Sequence, residues 1–227
     1  MKIRVRFSKQ GQMKFIGHLD MVRYFQKVMR RAEIDVAYSE GFSPHQKMSF
    51  AAPLSVGVLS RGEYFDVEVK STFSTGEAVK RINGQNVEGV EVLSYKLLPD
   101  NAKNAMSIVA AADYLIATDD FSEKDINDFI HQTEINIIKK TKKSGKEVNI
   151  RPLIYEMRKE EKGIFIKLAQ GSAQNLKPEL VMEALEKFSG KIISNTIIYE
   201  RLDMYCMEND KFISLDDIGK NIGENIG

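Results

Sequence analysis

Met1-Lys2-Ile3-Arg4-Val5-Arg6-Phe7 alternates charged and apolar side chains with a period of two, the pattern of a half-buried strand, and predicts one over 2–8. Reading outward, Leu19, Val22, Phe25, Val28/Met29 and Ala32 recur at helical spacing, which predicts a helix over 18–33. Its other side carries Arg23, Lys27, Arg30 and Arg31, and steps of four, three and one put them along one broad basic face. Residues 63–69 alternate again, with Tyr64 or Phe65 marking the buried side. Ser74-Thr75-Gly76-Glu77 has the S-x-x-E form of a capping box and opens a short helix with Val79 and Ile82 on one face. Residues 87–98 read as a strand.

Pro99-Asp100-Asn101-Ala102-Lys103-Asn104 reads as a linker, after which a similar order restarts. Residues 106–117 form an apolar run, Ser122-Glu123-Lys124-Asp125 starts a helix, and 134–140 and 147–157 flank a basic turn over 139–146. A strand over 163–169, a helix over 178–188 and a long strand over 191–205 follow. Each half thus reads approximately β-α-β-β-α-β, the order of the split βαβ unit. The expected fold class is α+β, with tandem ferredoxin-like units whose antiparallel sheets carry helices on one face. The halves show no direct sequence repeat, so the duplication rests on element order. The expected domains are 1–99 and 105–206, followed by a polar, glycine-dotted flexible tail over 207–227.

No run approaches the roughly 18 apolar residues of a membrane span, and the N-terminus lacks the apolar block of a signal peptide. The lone Cys206 excludes an internal disulfide framework and fits a reducing cytoplasm. It also excludes a cysteine-ligated iron–sulfur cluster. No zinc spacing, H-E-x-x-H, G-x-G-x-x-G after a strand or P-loop occurs, so no cofactor and no metal is expected. Charge is unevenly spread. Residues 1–61 hold 11 Lys/Arg against 4 Asp/Glu, whereas 62–227 hold 22 against 28. A basic N-terminal third on a nearly neutral chain suggests an anionic partner.

The run Tyr38-Ser39-Glu40-Gly41-Phe42-Ser43-Pro44-His45-Gln46-Lys47 has more special residues than a connector needs. Lys47 suits a phosphate, Ser39 and Ser43 suit hydrogen bonds, and Tyr38 or Phe42 suits stacking on a base. The alternative is a rigid loop with Phe42 and Phe50 buried. His18, in Phe15-Ile16-Gly17-His18-Leu19-Asp20, suits either a ligand-facing role at a helix start or a satisfied buried imidazole. His18, His45 and Lys47 are the weak catalytic candidates. In the second half, Ser172, Asn175 and Lys177 lead into a helix starting at Pro178. Asn175 suits the cap, and the free N–H groups suit an anion. Arg151 fits a phosphate clamp or a packing ion pair.

Together, Phe15–Asp20, Gly41-Phe42-Ser43-Pro44-His45 and Gly171-Ser172…Asn175-Leu176-Lys177-Pro178 resemble a radical SAM-associated bacterial family of unknown function. Its members stand alone or form the C-terminal part of a cobalamin-binding radical SAM protein. The resemblance covers the chain up to about Tyr205. It implies a separately encoded radical SAM protein as partner, and the family's setting near ribosomal-protein and ribonuclease genes leans toward RNA. A weaker, architectural likeness is to the CRISPR repeat-processing endoribonucleases.

Three functions are therefore expected. The first is a non-catalytic RNA-binding module that presents transfer or ribosomal RNA to a radical SAM enzyme. The second is a domain that docks on that enzyme without touching RNA. The third is a metal-independent endoribonuclease using His18 or His45 as base.

Overall fold

The computed structural model describes residues 1–140, 145–193 and 197–223. It is a mixed α+β fold with mostly antiparallel strand pairing and few helices. In chain order the elements are β1 (Lys2–Lys9), α1 (His18–Arg31), β2 (Met48–Phe50), β3 (Leu59–Glu68), α2 (Thr75–Asn83), β4 (Val90–Leu97) and α3 (Ala105–Ile108). They continue as β5 (Val109–Ala117), α4 (Glu123–Ile130), β6 (Asn136–Lys140), β7 (Gly145–Asn149), β8 (Ile154–Glu160) and β9 (Gly163–Ala169). The last are α5 (Pro178–Ser189), β10 (Ile198–Glu208) and β11 (Lys211–Ser214). Two compact units result: Met1–Val109 with Asp203–Gly227, and Ala110–Leu202. No helix among the described residues is long and apolar enough to cross a membrane.

In the first unit β1 is flanked by β4 and β3, antiparallel to both, and β2 and β10 both pair with β3. The alternation in β1 aims Ile3, Val5 and Phe7 into a core with Met21, Phe25, Val28 and Met29 of α1. Phe7, Phe25, Phe50 and Phe65 form a ring cluster at its centre, with Phe7 and Phe25 edge-on at 4.6 Å. The other side of β1 is covered as well. Arg4 is 1% exposed, holds both oxygens of Asp66 at 2.8 and 3.0 Å, and donates to the Leu215 carbonyl at 3.2 Å.

That cover is supplied by the segment expected as the tail, whose described residues 207–223 pair along the first unit. β11 pairs with β10, and Leu215 is fully buried. Asp216 accepts from Ser94 and from Lys96, the latter at 2.8 Å. Lys220 pairs with Leu97, the Thr75 amide donates to the Ile222 carbonyl, and the Ile222 amide donates to Thr75 Oγ1. The polar, glycine-dotted composition that reads as loose chain supplies the side chains and backbone bends that let this segment bond along existing edges. Residues 224–227 lie outside the described residues.

In the second unit the strand order is β10-β5-β9-β8, while β6 and β7 form a separate two-stranded sheet. The stretch 147–157 that flanks the basic turn is divided between β7 and β8 by the turn Arg151–Leu153, where Pro152 removes a backbone donor. Residues 141–144 of the basic turn, and 194–196 of the expected last strand, lie outside the described residues. α4 is opened by a complete capping box, in which Ser122 and Asp125 bond each other's backbone N–H.

Candidate nucleic-acid interface

α1 is built by its amphipathic pattern. Met21, Phe25, Val28 and Met29 face the core, and Arg23, Lys27, Arg30 and Arg31 are all exposed. Arg23 pairs with Asp20 at 3.3 Å, one turn before it. Lys27, Arg30 and Arg31 form no ion pair among the described residues. Arg30 and Arg31 occupy the last turn, where the helix dipole favours cations. The charge of Arg31 is felt by Tyr24, whose phenol is pushed up by burial and eased back by the Val87 amide and Arg31.

Leu19 departs from expectation. It is 69% exposed, and Met21 takes the core position. Four residues before Arg23, Leu19 lies on the basic face, so the stripe begins with an apolar residue. Phe15 and Val56 are also exposed. The amide of Gly57 donates to Lys14 at 2.8 Å, and the Lys14 ammonium lies over the Phe15 ring.

The loop over 38–47 is a laced structure. Tyr38 bridges Gln46, and the Ser39 amide donates to the His45 carbonyl at 2.8 Å. Ser39 Oγ meets His45 Nδ1 at 2.9 Å and accepts from the His45 amide at 3.1 Å. Gly41 turns the tip with φ of 107°, a value that disfavours a side chain. Phe42 beyond it is fully exposed, so the alternative in which this ring is buried is corrected. Phe50 is buried, as that alternative required. Ser43 is exposed beside Phe42.

Gln46 is the residue that sequence reading missed. It is 8% exposed, and its Nε2 donates to the Gln26 carbonyl of α1 at 3.1 Å and to Tyr38 at 3.3 Å. It fastens the loop to α1 at a residue flanked by Arg23, Lys27 and Arg30. Its one signal is its place in the outward-facing run His45-Gln46-Lys47, where a buried residue must find internal partners.

Among the described residues no hydrogen bond or ion pair joins the catalytic candidates His18, His45 and Lys47 to one another. His18 stands edge-on to Phe50, with ring centroids 5.6 Å apart. His45 is tied to Ser39. Lys47 pairs with Glu68 at 3.1 Å and lines a cleft of about 250 Å³ with Lys2, Asp66 and Glu68, where both signs of charge meet. Among the described residues no group of three or more His, Cys, Asp or Glu is placed to hold a metal ion.

The remaining candidates lie in the second unit. Arg151 forms no ion pair among the described residues and spends its fork on two carbonyls. Its Nε donates to the Ile130 carbonyl at 2.7 Å and its Nη1 to Ile154 at 3.0 Å, closing the end of α4. Ser172, Asn175 and Lys177 are exposed. The cap of α5 is Lys177 with no side-chain bond, so the Asn175 cap is corrected. Pro178 fixes that first turn without a side-chain cap. Glu179 in the same turn opposes an anion there. Glu179, Glu183 and Glu186 also surround Tyr199, whose phenol burial and these carboxylates push up to about 12.

A family model described as an uncharacterized protein conserved in bacteria (DUF2344) matches residues 2–178. No curated protein matches the chain.

Proposed function

The chain belongs to this uncharacterized bacterial family, and from that premise we propose that it is a non-catalytic RNA-binding module. In this reading it works beside a separate radical SAM enzyme, in the cytoplasm, in RNA modification or processing. The tandem ferredoxin-like reading is part of the same proposal. It is supported by the strand orders β4-β1-β3-β2 and β10-β5-β9-β8, each placing first and third strands of a βαββαβ series at the centre.

The observation that carries the proposal is the exposed stripe Arg23, Lys27, Arg30 and Arg31 on one rigid helix. Phosphates neutralised by such a stripe release counterions, so affinity falls steeply with salt. Four contacts predict a log–log slope of about −3 on single strands. The ribonuclease reading has less support, because His45 and Lys47 are already engaged by Ser39 and Glu68.

The test is binding of the purified protein to total cellular RNA across a salt series, with Arg23→Glu/Arg30→Glu as comparison. Salt-dependent binding that the variant loses, with the RNA left intact, is expected. No binding by the wild type at low salt refutes the RNA reading. It favours the second reading, docking on a protein partner, for which exposed Phe15, Leu19 and Val56 are the supporting observation.

A further inference from the structure

The loop over 38–47 contributes almost no free positive charge to the interface. Lys47 is neutralised by Glu68, and Glu40 stands exposed one residue from Gly41. A phosphate gains nothing at this tip and is repelled by Glu40. Yet the tip holds a fully exposed phenylalanine on a laced support, fastened through Gln46 to the helix that bears the basic stripe. Such a ring is a flat apolar platform, and within RNA the matching surface is the face of a base. In an A-form duplex that face is covered by its neighbours, and the bases are read only at their edges in the shallow groove. The stripe from Arg23 to Arg31 covers about 12 Å of helix, far less than the ~16 bp a duplex-reading domain spans.

Resting on the RNA-binding reading, we infer that this site takes single-stranded RNA. Phe42 stacks on one unpaired base while Arg23, Lys27 and Arg30 hold neighbouring phosphates. Charge and stacking are then divided between helix and loop, and they fail separately.

The experiment is fluorescence anisotropy with a short labelled single strand and with the blunt duplex made from it. The proteins are wild type, Phe42→Ala, Phe42→Trp and Arg23→Glu/Arg30→Glu. The expected result is that Phe42→Ala weakens single-strand binding about 5- to 150-fold, which is ~1–3 kcal/mol per stacked base converted at 1.4 kcal/mol per tenfold. The salt slope is unchanged, Phe42→Trp restores affinity, and duplex binding is weaker and indifferent to position 42. If Phe42→Ala binds the single strand as wild type does while the charge variant loses it, the unpaired-base inference falls and the RNA reading stands. A wild-type preference for the duplex also overturns the inference. If wild type binds neither RNA, the RNA reading falls and this inference falls with it.

Discussion

Replacing Asp66 by Ala leaves the Arg4 guanidinium buried without its counter-charge, since the Arg4 side chain is 1% and the Asp66 side chain 9% exposed. The carboxylate takes two bonds from Arg4, and its Oδ2 also accepts from the Ala105 amide at 2.8 Å. Among the described residues the guanidinium would keep only the carbonyls of Leu215 and Lys103, at 3.2 and 3.4 Å. Breaking a buried pair on one side costs about 3–5 kcal/mol, a large share of the ~5–15 kcal/mol that holds a domain. With a urea dependence of about 2 kcal/mol/M, the midpoint falls by roughly 1.5–2.5 M. The assay is urea unfolding followed by far-ultraviolet circular dichroism, because the chain has no Trp. Hydrogen exchange over 203–223 adds a local readout, since Arg4 holds Leu215. The double variant Arg4→Met/Asp66→Leu removes both charges and recovers most of the loss. A shift below about 0.5 M for Asp66→Ala, or a double variant weaker than either single one, refutes the reasoning.

Further outcomes are expected elsewhere. Gly163 has φ of 139°, and a Cβ there would lie 2.1 Å from the Ile116 carbonyl oxygen. Gly163→Ala therefore destabilises by about 1–3 kcal/mol, and an unchanged unfolding midpoint contradicts the close approach. Lys191 and the Ser122 hydroxyl and amide hold the Asp125 carboxyl well below its usual range. The stability it contributes is present above the unfolded value of 3.8 and is lost as pH falls through the depressed one. Melting between pH 4 and pH 2 should thus lose part of its acid slope in Asp125→Asn. For Tyr199 the sign reverses. Its raised phenol binds a proton longer when folded, so stability is lost as pH rises from 10.0 to about 12. Tyr199→Phe should flatten that alkaline slope, and an ultraviolet phenolate titration in which Tyr199→Phe removes nothing from the late phase argues against it.

Much of the secondary structure was legible because it is set by local chemistry. Ser122 and Asp125 announce α4, the alternation of Ile3, Val5 and Phe7 announces β1, and the period of Phe25, Val28 and Met29 announces α1. The basic stripe was legible for the same reason, since a helix with one apolar face must turn its other face to solvent. Less legible were residues whose role depends on what lies across from them. Leu19 reads as core by spacing but falls on the outer face, and Phe42, readable as a stacking ring or a buried one, stands fully exposed. Arg151 reads as a phosphate clamp or half of an ion pair until two carbonyls arrive within reach of its fork.

The sequence by itself determined where β1, α1, α2, α4 and α5 begin, which face of α1 is charged and that the N-terminal third is basic. These follow from periodicity, capping and composition, which act within a few residues. Only the tertiary structure decided that Arg4 is buried, that Gln46 ties the loop to α1, and that residues 203–223 close the first unit against β1, β3 and β4. Each depends on groups far apart in the chain, Arg4 and Leu215 above all, and no local pattern records which partner will arrive.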